Sequence, residues 1–254
     1  MYGLIGYPLS HSFSKNFFTR KFADENLKGT EYQNFPLENI EAFRGLVDNH
    51  PNFQGLNVTI PYKEKIIPFL DALDPVASEI GAVNTIKFIG TGESRILKGF
   101  NTDAYGFTRS LQEVLGQKHS IQHALILGTG GASKAVAYAL KQMNIPYEFV
   151  SSSSKTSLGY ESLTRELIQN SKLIVNTTPL GMYPKILDCP AIPYDFISRE
   201  HILFDLVYNP AISLFLQNGM EKGASISNGL KMLEYQALKA WEIWGSEESG
   251  EIGL

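Results

Sequence analysis

The sequence predicts an α/β protein built from two α/β domains, and three observations carry that reading. An apolar run at 124–127 leads into the glycine-rich loop Gly128-Thr129-Gly130-Gly131-Ala132, and a small-residue stretch at helical spacing follows to residue 140. Strand and helix patterns then alternate through the second half of the chain, which argues for a parallel, doubly wound sheet. More than a hundred residues come before the loop and alternate on their own, so a separate first domain precedes it.

In the first half, residues 2–5 read as a strand, 13–27 as an amphipathic helix, 31–35 as a strand, 37–47 as a helix and 55–60 as a strand. Short helical pieces are expected over 63–80. A hairpin is expected from 83–89 and 95–100, joined by Gly90-Thr91-Gly92-Glu93, where glycines punctuate two apolar runs. Asp103 opens a helix whose Phe107, Leu111, Val114 and Leu115 keep helical spacing. In the second half, strands read at 124–127, 147–150, 172–176 and 202–207, with helices after the first, second and fourth. A last helix over 230–244 is expected to return to the first domain. The domains are therefore drawn as 1–102 with 229–254, and 103–228.

Composition narrows the function. The chain has 254 residues, 43% of them hydrophobic and 19% charged, with a net charge of −4. That is ordinary for a globular protein and shows no basic stripe for nucleic acid. The single cysteine, Cys189, excludes an internal disulfide and fits a reducing, cytoplasmic setting. The five histidines lack metal-ligand spacing, so no metal is expected. No apolar stretch reaches bilayer length, and the N-terminal residues read as a strand rather than a leader. The oligomeric state is expected to be monomer or homodimer.

A strand, a tight glycine turn and a helix together set backbone N–H groups and a helix N-terminus against a phosphate. The pattern alone is weak, and its sixth position is Ser133 rather than Gly or Ala. Its place inside a βαβ unit strengthens it. NAD-binding folds place an acid at the tip of the next strand for the ribose 2′-hydroxyl. Here that tip reads Ser151-Ser152-Ser153-Ser154-Lys155. Hydroxyls and one cation suit a 2′-phosphate, which favours NADP over NAD while leaving NAD possible.

Two residues of the first half draw attention. Pro61 fits the first turn of a helix, so Lys63 would lie where the helix dipole disfavours a cation. That suits a proton-transfer lysine, although the pattern alone favours an exposed lysine paired with a carboxylate. Asp103 follows a strand and precedes a helix, where capping is its simplest role. Yet Asn57, Thr59, Lys63, Asn84, Asn101 and Asp103 all fall at strand ends, where open α/β sheets gather ligands. Amides and hydroxyls there suit a polyhydroxylated molecule. Ser12 and Ser14 open the first helix, where they cap it or hold a carboxylate.

Taken together, these stretches resemble the shikimate dehydrogenase family. The matching runs are Gly6-Tyr7-Pro8 with His11-Ser12-Phe13-Ser14, Asn57-Val58-Thr59-Ile60-Pro61-Tyr62-Lys63-Glu64, Gly81-Ala82-Val83-Asn84-Thr85 and Asn101-Thr102-Asp103-Ala104-Tyr105-Gly106. The glycine loop follows, then Asn176-Thr177-Thr178-Pro179-Leu180-Gly181-Met182, Asp205-Leu206-Val207-Tyr208-Asn209-Pro210, and Gly229-Leu230-Lys231-Met232-Leu233 with Gln236. The resemblance implies an N-terminal substrate domain, a Rossmann-type NADP-binding domain, and reversible NADPH-dependent reduction of 3-dehydroshikimate to shikimate. It implies Lys63 and Asp103 as the catalytic pair. Ser12, Ser14 and Tyr208 would hold the carboxylate, and Thr59, Asn84, Asp103 and Gln236 the ring hydroxyls. Gly128, Thr129, Gly130, Gly131 and Ala132 would cradle the pyrophosphate, Ser151, Ser152 and Ser153 would flank the 2′ position, and Leu206 and Gly229 would border the nicotinamide.

The chain departs from the family pattern in three places. Lys15 replaces a proline, Phe18-Thr19 replaces a His-Asn pair, and serines at 151–153 replace Asn-Arg-Thr. Lysine lacks the planar fork with which arginine grips a phosphate, so Lys155 is not an equal substitute. A quinate/shikimate dehydrogenase of dual or NAD-linked specificity therefore stays open as the alternative.

Overall fold

The computed structural model describes residues 1–9, 13–116, 121–152 and 157–246. The chain forms two compact units: Met1–Tyr105 with the chain from Leu233, and Gly106–Met232.

The first unit is organised on β1 (Tyr2–Gly6), all five residues of which are buried. Successive side chains of a strand point to opposite faces, so Tyr2 and Leu4 serve one core while Ile5 serves the other. The unit adds α1 (Phe13–Asp24), β2 (Tyr32–Pro36), α2 (Ala42–Asp48), β3 (Gly55–Val58), β4 (Ala72–Leu73), α3 (Pro75–Ile80), β5 (Thr85–Ile89) and β6 (Ile96–Phe100). The sheet order is β2-β1-β3-β5-β6-β4; β1 runs parallel to β2 and β3, and β5 is antiparallel to β3 and β6. One face packs Ile5, Leu56, Val58 and Ile86 against Phe43 and Phe53. The other packs Tyr2, Leu4 and Tyr32 against Phe18 and Phe22 of α1, and against Ala237, Ala240 and Trp244 of the last helix. Gly55 permits that second layer, because a Cβ there would stand 2.2 Å from Trp244 Nε1.

Two local expectations fail. The helix expected from residue 37 starts at Ala42, because Leu37 is pinned on both sides: its N–H donates to Gly6 O and its carbonyl accepts from the Tyr62 hydroxyl. No helix begins at Pro61. Thr59 N–H donates to Ile5 O and Tyr7 N–H to Ile60 O, which holds this stretch along β1; turns follow to residue 66. The expected helix-dipole effect on Lys63 therefore has no helix to supply it.

From α4 (Asp103–Leu115) the chain passes into the second unit. There β7 (Ala124–Leu127), α5 (Gly131–Gln142), β8 (Tyr147–Val150), α6 (Arg165–Asn170), β9 (Leu173–Asn176), β10 (Ile202–Asp205), α7 (Leu214–Glu221) and β11 (Ser225–Ser227) follow; α8 (Leu230–Gly245) comes last, and from Leu233 it belongs to the first unit. The five strands order as β11-β10-β9-β7-β8, all parallel. Four of them are four-residue strands; β7, β9 and β10 are buried throughout, as a sheet covered on both faces requires. From β7 the chain moves to β8 on one side and returns to β9 on the other. The carboxyl end of β7 is thus the switch point at which such folds bind ligands. Among the described residues, no helix is long and apolar enough to cross a membrane.

Candidate active site

Residues from five segments converge at the strand ends of the first unit. Lys63 leaves the turn after β3, and its Nζ donates to Asp103 Oδ2 at 2.6 Å. The pair is largely shielded from water, with side-chain exposures of 18% and 7%. Asp103 opens α4, but capping falls to Asn101, whose Oδ1 accepts from the N–H groups of Asp103 (3.0 Å) and Ala104 (3.3 Å). The capping role read for Asp103 is thereby corrected. Its carboxylate is left to meet Lys63 with one oxygen and Asn84 Nδ2 with the other, at 3.0 Å. A buried charge pair is stable only when its remaining hydrogen-bonding capacity is met, which the Asn84 amide does here.

Asn84, just before β5, is the hub. Its Nδ2 also lies 2.9 Å from Thr102 Oγ1 and 3.3 Å from Gln236 Oε1, and its Oδ1 accepts from Thr102 N–H at 2.8 Å. Gln236 on α8 is buried and accepts from Thr102 Oγ1 at 3.3 Å. The structure thus joins Lys63, Asn84, Asp103 and Gln236 in one network. Thr59 sits half-buried at the end of β3, held through its backbone to Ile5. Ser14, at the start of α1, hydrogen-bonds the hydroxyl of Tyr32 and opposes the upward pKa shift that burial imposes on that phenol. Ser12 lies outside the described residues. Sequence reasoning missed Thr102, a buried hydroxyl between two residues it did name; its position between Asn101 and Asp103 was the available signal.

In the second unit the glycine loop is set by its backbone geometry. Gly128 has a φ of +110°, and a Cβ there would stand 2.7 Å from Thr177 Oγ1, so only glycine fits without strain. At Gly130 a Cβ would meet nothing within 4 Å, and Gly130 N-caps α5 with no side-chain acceptor, which leaves that helix end open to an anion. Ser133 departs from the fingerprint but is fully buried, and its hydroxyl closes the turn onto Gly130 O at 2.5 Å. Thr129 and Ala132 complete this loop and the first turn of α5. At the tip of β8, Ser151 is buried with its N–H on Leu158 O, while Ser152 is exposed. Ser153 and Lys155 fall outside the described residues.

Leu206 and Gly229, far apart in sequence, meet: a Cβ on Gly229 would stand 2.1 Å from Leu206 O. Asp205 anchors this segment. It is fully buried, accepts from Asn176 Nδ2 (2.9 Å), Val207 N–H (3.0 Å) and the Ser213 hydroxyl, and holds the backbone that carries Leu206 and half-buried Tyr208. Burial raises the pKa of Asp205 from 3.8 to about 6, against the opposing pull of those three hydrogen bonds. A carboxyl whose folded-state value is raised contributes stability that is fully present below about pH 4 and is lost as pH rises through about 6. Wild type is therefore expected to lose Tm relative to Asp205→Asn between pH 4 and pH 7. Thermal unfolding across that range checks this, and a Tm difference independent of pH refutes it. Among the described residues no cluster of His, Cys, Asp or Glu could hold a metal ion.

The family profile described as shikimate dehydrogenase substrate binding domain matches residues 4–86. The chain is 37% identical over 270 residues to the Shikimate dehydrogenase (NADP(+)) of Halothermothrix orenii, with 95% of this chain and 89% of that protein covered. It is similar in structure to the shikimate dehydrogenase from Aquifex aeolicus, with a TM-score of 0.85 and 33% identity, covering 98% of this chain and 93% of that one. It is also similar to the quinate dehydrogenase from Corynebacterium glutamicum in complex with NAD, with a TM-score of 0.84 and 26% identity over 97% and 94% of the two chains.

Proposed function

The chain belongs to the shikimate dehydrogenase family, and from that premise we propose how its residues divide the reaction. The activity is that of an NADP-linked oxidoreductase interconverting shikimate and 3-dehydroshikimate on the route to chorismate and the aromatic amino acids. The first unit binds the substrate and the second the cofactor. The observation that carries this division is the Lys63–Asp103 pair at 2.6 Å, set in a shell of amides and hydroxyls within the unit that carries Ser14.

NADPH, which the loop Gly128–Ala132 would hold, would supply a hydride for the ring carbonyl carbon. Lys63 Nζ is the group that gives the carbonyl oxygen its proton. Asp103 holds the lysine in place through the hydrogen bond at 2.6 Å. In the oxidative direction the same nitrogen takes the hydroxyl proton. Asn84, Gln236 and Thr59 hold ring hydroxyls, while Ser12, Ser14 and Tyr208 take the carboxylate. The loop Gly128–Ala132 offers its N–H groups and the α5 N-terminus to the pyrophosphate. The working form is a monomer or homodimer in the cytoplasm, with no nucleic acid partner, a reading supported by the net charge of −4 and the single cysteine.

Initial rates of the purified protein with shikimate and with quinate, each with NADP and with NAD, test this reading. Turnover of shikimate with NADP is expected; no turnover of shikimate with either cofactor overturns it. A dual or NAD-linked quinate/shikimate activity is favoured by one observation, the serines at the β8 tip where the family carries arginine. Ser152 is exposed at that tip, so Ser152→Arg is expected to raise NADP-over-NAD preference in kcat/KM by about tenfold or more, as a bidentate phosphate contact would. An unchanged ratio places the 2′ position elsewhere.

A further inference from the structure

Behind the Lys63–Asp103 pair, the first unit holds a buried chain of side chains whose hydrogen bonds all run one way. Two backbone groups fix the direction. Thr102 N–H can only donate, so the atom it meets at 2.8 Å is the amide oxygen of Asn84, and Asn84 Nδ2 faces Asp103. Thr85 Oγ1 lies 3.1 Å from that same oxygen and must donate to it. With its one proton used, Thr85 accepts from Asn57 Nδ2 at 3.2 Å. The carbonyl of Asn84 can only accept, and it takes a second proton from Asn57 Nδ2 at 3.3 Å, which fixes that amide too. The oxygen of Asn57 therefore accepts, and the donor is the Tyr32 hydroxyl at 2.7 Å.

The order from donor to acceptor is thus Tyr32, Asn57, Thr85, Asn84 and the Asp103 carboxylate. Every member is at least nine-tenths buried, so water does not compete for these bonds. Hydrogen bonds in series polarise one another, and a chain that ends on an anion is strengthened along its length. The chain begins beside α1, where Ser14 hydrogen-bonds the Tyr32 phenol.

We propose that Tyr32, Asn57 and Thr85 are positioning residues for the reaction, holding the Asn84 amide and through it the Asp103 carboxylate in the orientation that aims Lys63. None of the three reaches the pair directly. This rests on the shikimate dehydrogenase reading given above. It also explains why Asn57 and Thr85, polar residues at the centre of a sheet, stand where packing alone would favour apolar side chains.

Substitutions of near-constant shape test it. Thr85→Val keeps the branched side chain and removes the hydroxyl; Thr85→Ser does the reverse. Tyr32→Phe keeps the ring, which stacks on Phe18 at 4.7 Å. Thr85→Val is expected to lower kcat for shikimate about three- to tenfold, the worth of one hydrogen bond to a polarised partner. The KM for NADP should stay unchanged and Thr85→Ser should remain within about twofold of wild type. Tyr32→Phe should lower kcat less, and the double variant Tyr32→Phe/Thr85→Val should match Thr85→Val alone, because both act through one chain.

A packing role predicts the opposite order at Thr85, with serine worse than valine. That order, a Thr85→Val enzyme with wild-type kcat, or losses that simply multiply in the double variant each overturn the proposal while leaving the family reading intact. A wild-type protein that fails to turn over shikimate overturns the reading and this proposal with it.

Discussion

Lys63→Ala is expected to lower kcat by about 10²–10⁴-fold, the range for removing a positioned acid–base group, with little change in substrate affinity. The argument is geometric. Lys63 Nζ is bonded to Asp103 at 2.6 Å in a largely buried setting, and Ala leaves no proton-donating side chain at that place. Removing the lysine also strands a buried carboxylate, which carries a stability cost of its own. Lys63→Arg separates the two effects. It keeps a cation for Asp103 but cannot release a proton at accessible pH, so stability should be largely retained while turnover is lost. Steady-state kinetics and thermal unfolding of both variants check this. A Lys63→Ala enzyme with near-normal kcat would falsify the assignment of proton transfer to Lys63.

Trp244→Ala is expected to destabilise the protein by about 3–5 kcal/mol, the usual cost of deleting a buried tryptophan. The indole lies 4.8 Å from the Tyr2 ring and 5.3 Å from Phe18, and its Nε1 donates to Ile86 O at 3.0 Å. Its loss opens a void over Gly55 and removes the indole's hydrogen bond to the Ile86 carbonyl. Because α8 also carries Gln236, kcat/KM should fall along with stability. Denaturant unfolding read beside kinetics tests the claim. A loss under about 1 kcal/mol would show that α8 is not what closes this core.

Much of the site was legible because its residues lie at strand ends, and strand ends can be read from apolar runs and the turn residues after them. Asn57, Lys63, Asn84 and Asp103 were found that way, as was the glycine loop after residues 124–127. Local pattern failed where a distant partner decides. The helix expected at Pro61 gives way to turns because backbone hydrogen bonds tie residues 59 and 60 to Ile5 and Tyr7. The capping role read for Asp103 belongs to Asn101, since two acceptors compete for the same N–H groups and only geometry chooses between them. Tyr32 carried no signal, because its phenol acts on Asn57, 25 residues away.

The sequence by itself determined the α/β class, the two-part organisation and the glycine loop, which follow from periodicity, turn chemistry and residue type acting over a few residues. The pairing of Lys63 with Asp103 was implied only by the family resemblance. Only the tertiary structure decided how Gln236 on the last helix reaches Asn84 across 152 positions, and which oxygen of Asp103 faces Lys63 and which faces Asn84. It also decided the direction of the buried hydrogen bonds behind them. The reason is that a hydrogen bond is set by angle and burial, and both are fixed when sheet, helix and loop pack around the same few polar atoms.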